Sequence, residues 1–121
     1  MTAQKTTSHL TDFISQLSSA PEKVSFEQTM QVISEHYRYV PATFSNGDLV
    51  NEAGTNEGSC KIFYFAKLNH LTEQQTLVCY GQYFRDVLNN PTGTDHGNIR
   101  NFMVSGWSKL DFNSVALTAL N

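Results

Sequence analysis

The segment Ser59–Asn69 constrains this chain more than any other. It holds Ile62, Phe63, Tyr64, Phe65, Ala66 and Leu68. At helical spacing these side chains point almost all round the axis, so the helix has no polar face to show to water. Such a helix is stable only when other elements cover it on every side. The sequence therefore predicts a central, buried helix over Ser59–Asn69, capped by Ser59 or Thr55, with the rest of the chain folded as its wrapping.

The wrapping is legible as amphipathic segments. Ser8–Ser19 carries Leu10, Phe13, Ile14 and Leu17 at helical spacing, and Pro21 ends it. Residues 1–7 have no large apolar side chain after Met1 and read as a disordered lead. A second helix starts at Ser25 with Gln28 as capping-box partner, and Phe26, Met30, Ile33 and Tyr37 form its stripe. Arg38-Tyr39-Val40 is extended before Pro41. Asn46-Gly47 signals a short hairpin with Phe44 on one arm and Leu49 on the other. Thr72-Glu73 opens a longer helix, Glu73–Asn89, with Leu77, Tyr80, Phe84 and Val87 or Leu88 inward. Gly81 lies on that inner face and lets a neighbour approach closely. Asp95 is the N-cap of a last main helix bearing Ile99, Phe102 and Met103. Gly106 ends that helix, Trp107, Leu110 and Phe112 follow as an apolar hook, and the tail from Ser114 adds a short helical turn.

Size and charge exclude several classes. The 121 residues make one domain, with 40% apolar residues and a net charge of −3. The eight Lys and Arg are scattered singly, so no basic stripe exists to neutralise a run of phosphates or an anionic bilayer. The longest apolar run, Ile62–Ala66, is far short of a membrane span. Cys60 and Cys79 have no CxxC or Cys/His spacing, so no metal or other cofactor is called for. The first twenty residues lack the apolar stretch of a secretory signal, which points to the cytoplasm and two free thiols. A Ser/Thr-rich, acidic-poor start also suits type III export.

Several strings resemble one family. NEAGTNEGSCKIFYFAKLNHL (51–71), TLVCYGQYFRDVL (76–88) and DHGNIRNFM (95–103) look like the HopJ type III effector family. Tyr37-Arg38-Tyr39, Pro41, Phe44, Asn46 and Gly47 extend the likeness upstream, and Gly106-Trp107 downstream. Val40 departs from it where Thr is usual. The resemblance implies a fold of mixed α and β, which moves the expected class from all-α to a single helix-dominated α+β domain of about five helices over residues 8–121. The family is named for a protein that a plant pathogen delivers into host cells, and similar proteins occur where no delivery is evident. It carries no assigned catalytic residue, so no site is transferred.

Four places could carry chemistry. Cys60 lies in the first turn of a helix, where the dipole lowers a thiol pKa. With His96 as base and Asp95 to orient it, a cysteine hydrolase or transferase would be assembled. The plainer reading of Cys60 is a small buried hydrophobe. Asp95-His96 with Arg100 makes a capped helix start from which His96 reaches a ligand or a backbone group. Tyr83, Arg85 and Asp86 offer either an exposed ion pair or an anion contact. The loop Asn46–Glu57 offers oxygens from Asn46, Asp48, Asn51, Glu52, Asn56 and Glu57, but without EF-hand spacing, so its Asn and Gly residues read as turn formers.

These residues leave three functions open: a non-catalytic binding or interaction module with a protein partner, the Cys60–His96 enzyme, and a binder of a small anionic ligand through Tyr83, Arg85, His96 and Arg100. A monomer is expected. If there is a site, it lies where the Asn46–Ser59 loop, the Tyr83–Asp86 face and the Asp95–Arg100 helix start converge. Glu52 or Glu57 paired with Arg85 or Arg100 would make that place an internal lock instead.

Overall fold

The computed structural model describes the backbone of residues 2–120 and the side chains of residues 9–120. Of the predicted disordered lead, residues 1–7, only the backbone of 2–7 is described, and it is helical, continuous with the helix expected from Ser8. Helix α1 runs Thr2–Ser19, and α2, Phe26–His36, lies against it. The two are tied by a reciprocal amide pair between Gln16 and Gln28. Gln28 is thereby drawn off the expected capping box: Ser25 accepts from the Gln28 N–H, but the Gln28 side chain reaches Gln16.

The central helix is α3, Glu57–Leu68, and every side chain from Ile62 to Ala66 is buried. Its aromatic residues are the hub of the core. Phe63 meets the rings of Phe44, Tyr80 and Phe102 at 5.9, 5.9 and 5.0 Å. Phe65 meets Phe13 and Tyr37, and Tyr64 meets Phe112 edge-on. Helix α1, the later helix that carries Phe102, the turn at Tyr80 and three of the strands thus each lay a ring on α3, and each such side chain contributes ~1.5–3 kcal/mol by its burial.

Five short strands complete an α+β domain. β2 (Phe44–Asn46) lies between β3 (Leu49–Asn51) and β4 (Leu110–Phe112), all antiparallel. The Asn46-Gly47 turn is as expected, with Gly47 at φ +63°. β1 (Tyr37–Tyr39) pairs with β5 (Leu117–Ala119). The tail is thus a strand, not the expected helical turn. Pro41 keeps residues 38–40 extended, their backbone groups need outside partners, and the tail supplies them, as in Val40 N–H to Ala116 O at 2.8 Å. The apolar hook after Gly106 is a 3-10 turn leading into β4.

The predicted helix Glu73–Asn89 is two helices, α4 (Glu73–Val78) and α5 (Gln82–Asn89), which together with α6 (Gly97–Ser105) brings the count to six. The break has a local cause. Gly81 sits at φ +58°, and a Cβ there would lie 2.5 Å from the backbone N of Phe26. The start of α2 presses so closely on this point that only glycine fits, and the left-handed backbone ends α4. Gly81→Ala should therefore cost at least ~2 kcal/mol, from backbone strain and a clash with main chain together. Urea unfolding checks this, and a near-neutral variant would show that the contact relaxes freely.

Candidate functional site

Two helices begin side by side in the same unusual way. The residue before α3 is Asn56 at φ 50°, ψ 48°, and the residue before α6 is His96 at φ 54°, ψ 50°. Neither side chain caps its helix. This corrects the expected caps. Ser59 and Thr55 give way to Asn56, and Asp95 is one residue too early. Its carboxylate is taken by Arg100 at 2.7 Å, with the Arg100 Nε donating to the Asp95 carbonyl. The bond to Arg100 holds the Asp95 carboxyl below its usual pKa. Arg100 thus braces the turn before α6 from outside.

A cavity of about 420 Å³ lies between the two helix starts. Gly58 and Ser59 form one side, and His96, Gly97 and Asn98 the other. Phe26, Tyr80 and Tyr83 supply aromatic walls. The walls are packed: Tyr83 meets Phe26 edge-on at 5.1 Å and His96 at 5.5 Å. A Cβ on Gly58 would lie 2.6 Å from the Phe26 ring, so the missing side chain is what lets that ring stand at the mouth. Inside, the Tyr80 hydroxyl donates to Ser59 Oγ at 2.7 Å. Burial pushes the Tyr80 phenol far above its ordinary pKa, so it stays a donor.

Beneath the cavity lies an asparagine network. Asn46, Asn51 and Asn98 are 0%, 3% and 8% exposed. Asn98 Oδ1 accepts from Asn46 Nδ2 at 3.0 Å and Asn51 Nδ2 at 3.1 Å, while Asn98 Nδ2 donates to Asn51 Oδ1 at 2.9 Å. Asn56 Nδ2 also donates to Asn51 Oδ1, at 2.7 Å. The network ties the β2–β3 hairpin to both helix starts and fixes their separation. Asn46 and Asn51 sit where turn formers are expected, yet here they face inward. Asn98 is read in the sequence only as part of a family string.

The predicted site residues divide into two groups. His96 and Tyr83 line the cavity, together with the end of the 46–59 loop. Arg85, Arg100 and Cys60 do not. Arg85 Nη1 donates to the Val24 carbonyl at 3.0 Å, which leads its guanidinium towards α1 and α2. No lock forms, because Arg100 pairs with Asp95 and Glu57 accepts from the Tyr39 hydroxyl at 2.9 Å. Cys60 is 1% exposed, with Sγ 3.6 Å from the Ala42 carbonyl. Burial raises its pKa, against the helix-start expectation, and Tyr39 and Ala42 only offset this. No hydrogen bond among the described residues joins Cys60 to His96, and Cys60 does not line the cavity that His96 lines. Among the described residues no group of three His, Cys, Asp or Glu is placed to hold a metal, and no helix is long and apolar enough to cross a membrane.

Fold and cavity together define a class: a small α+β domain wrapped round one buried helix, with a ligand-sized hollow at that helix's start. The chain belongs to the HopJ type III effector protein family, whose model matches residues 10–117. It is also similar to the crystal structure of VPA0580, described there as a protein of unknown function. The two are 51% identical, with a TM-score of 0.89, over 92% of this chain and 93% of that one. No curated protein matches the chain.

Two outcomes follow from this geometry. Because the pKa of Cys60 is raised, less thiolate is present at pH 8 than for free cysteine, and the sulfur is also covered. Iodoacetamide should therefore label the native protein much more slowly than the urea-unfolded one, as mass spectrometry would read; equal rates would show an accessible thiolate. Asn98→Ala leaves the Asn46 and Asn51 amides without their shared acceptor and should cost about 2–4 kcal/mol, against under ~0.5 for exposed Asn113→Ala. Chemical denaturation of both variants measures the difference.

Proposed function

We propose that this chain is a binding module with no reaction of its own, and that its seat for a small anionic ligand is the cavity between α3 and α6. One observation carries the reading. Among the described residues, the backbone N–H groups of Gly58, Ser59, Gly97, Asn98 and Ile99 meet no acceptor. Helix starts normally satisfy such groups with a capping side chain. Here both caps are left out, and the two sets of donors face one hollow instead. The lining contains no carboxylate to fill that hollow from within. Donors without acceptors at the positive ends of two helices suit an anion.

The enzyme reading finds less support, since the sulfur it needs is sealed against Ala42. The family description suggests delivery into a host cell as the setting, with the bacterial cytoplasm as the place of synthesis.

The test is an NMR titration of the intact protein with sodium acetate and with inorganic phosphate, using sodium chloride at matched ionic strength as control. Saturable shifts confined to the amides of Gly58, Ser59, Gly97 and Asn98 are expected, at millimolar concentration. Shifts absent, or scattered over the surface, would contradict an anion seat.

A further inference from the structure

We infer that the ligand is a small aromatic monocarboxylate, one flat ring carrying a single negative charge; this rests on the anion seat proposed above. Charge sets the first limit. No Lys or Arg lines the cavity. The two arginines expected at the site are committed elsewhere, Arg85 to the Val24 carbonyl and Arg100 to Asp95. Each helix start supplies the equivalent of roughly half a positive charge. Two of them match about one negative charge. A phosphate monoester or diphosphate would bring more charge into the hollow than dipoles alone offset, and the cationic side chains that usually hold such groups are missing.

Side-chain donors give a second, independent indication. Asn98 is only 8% exposed and lines the cavity. One of its two amide N–H bonds goes to Asn51 Oδ1. The other has no partner among the described residues, although an amide nitrogen carries two donors. Ser59 Oγ accepts the Tyr80 proton at 2.7 Å, which leaves the serine's own proton uncommitted. The Ser59 hydroxyl thus stands in the lining beside the backbone donors, and the Asn98 amide keeps one N–H over in the asparagine network beneath it.

The walls specify the rest of the molecule. Tyr83 is held in place by Phe26 at 67° and 5.1 Å and by His96 at 38° and 5.5 Å. A ring gripped on two sides is a rigid surface, and another flat ring gains by stacking or edge contact with it. The volume, about 420 Å³, is at the low end of the roughly 300–1,000 Å³ usual for small-molecule sites. It suits a single ring with a short acidic arm.

Four probes separate these claims: phenylacetate, acetate, benzyl alcohol and phenyl phosphate, each titrated into the intact protein and followed at the amides of Gly58, Ser59, Gly97 and Asn98. Phenylacetate should bind at least about tenfold more tightly than acetate or benzyl alcohol, the scale of one buried ring contact or one charge-assisted bond. Phenyl phosphate should bind no more tightly than phenylacetate. Tyr83→Leu should reduce phenylacetate binding to the level of acetate and leave acetate unchanged, while Ser59→Ala should weaken both acids; a thermal melt of each variant confirms the fold. Equal affinity for acetate and phenylacetate would overturn the ring and leave the anion seat standing. Tightest binding by phenyl phosphate would overturn the single charge, again with the seat intact. Benzyl alcohol binding as well as phenylacetate, or no binding by any acid, would overturn both this inference and the seat on which it rests.

Discussion

The structure depends on the covering of α3. A helix that carries Ile62, Phe63, Tyr64, Phe65 and Ala66 in succession has no side it can leave to water. Phe63 alone meets rings delivered by β2, by the segment between α4 and α5, and by α6. The β4 ring of Phe112 covers Tyr64, and α1 and β1 cover Phe65. Elements far apart in sequence are gathered because each has a ring to place on this one helix. The site follows from that gathering. Covering the first turns of α3 brings the start of α6, the Tyr80–Tyr83 segment and the start of α2 to one place.

Crowding at the same place explains the departures from ordinary helix chemistry. The start of α2 presses on Gly81 and Gly58, where a Cβ would lie 2.5 Å from backbone and 2.6 Å from the Phe26 ring. The chain enters α3 and α6 through left-handed residues, Asn56 and His96, which turn it sharply but cap nothing. The side chains that might have capped are used elsewhere. Asn56 donates to Asn51, and Asp95 accepts from Arg100. The result is a hollow bordered by two helix starts that have no side-chain cap.

Much of the fold was legible from residue pattern. The buried helix, the two N-terminal helices, the hairpin at Asn46-Gly47 and the ends set by Pro21 and Gly106 all rest on local spacing. The mixed α and β class came from family resemblance rather than periodicity. What local pattern could not show is longer in range. The tail becomes a strand because Tyr37–Tyr39 needs a partner that lies far along the chain, as in the pairing of Tyr39 with Leu117 and Tyr37 with Ala119. The helix 73–89 breaks because another backbone approaches Gly81. The candidate site was legible in outline: loop 46–59, Tyr83 and His96 do meet. Arg85, Arg100 and Cys60 are chemically the most eloquent residues nearby, yet each is satisfied by a neighbour that spacing alone does not reveal. Ser59 and Asn98 fall inside the expected segments without being singled out as site residues, and Tyr80 is placed only in the core, because their bonds are a property of the assembled network.

The most direct measurement of the central claim is a high-resolution crystal structure of the protein grown in excess phenylacetate. The account predicts a carboxylate between the two helix starts, its oxygens at hydrogen-bond distance from the backbone N–H groups of Gly58 or Ser59 on one side and Gly97 or Asn98 on the other, with the ring against Tyr83. A hollow holding only ordered water under those conditions would contradict it.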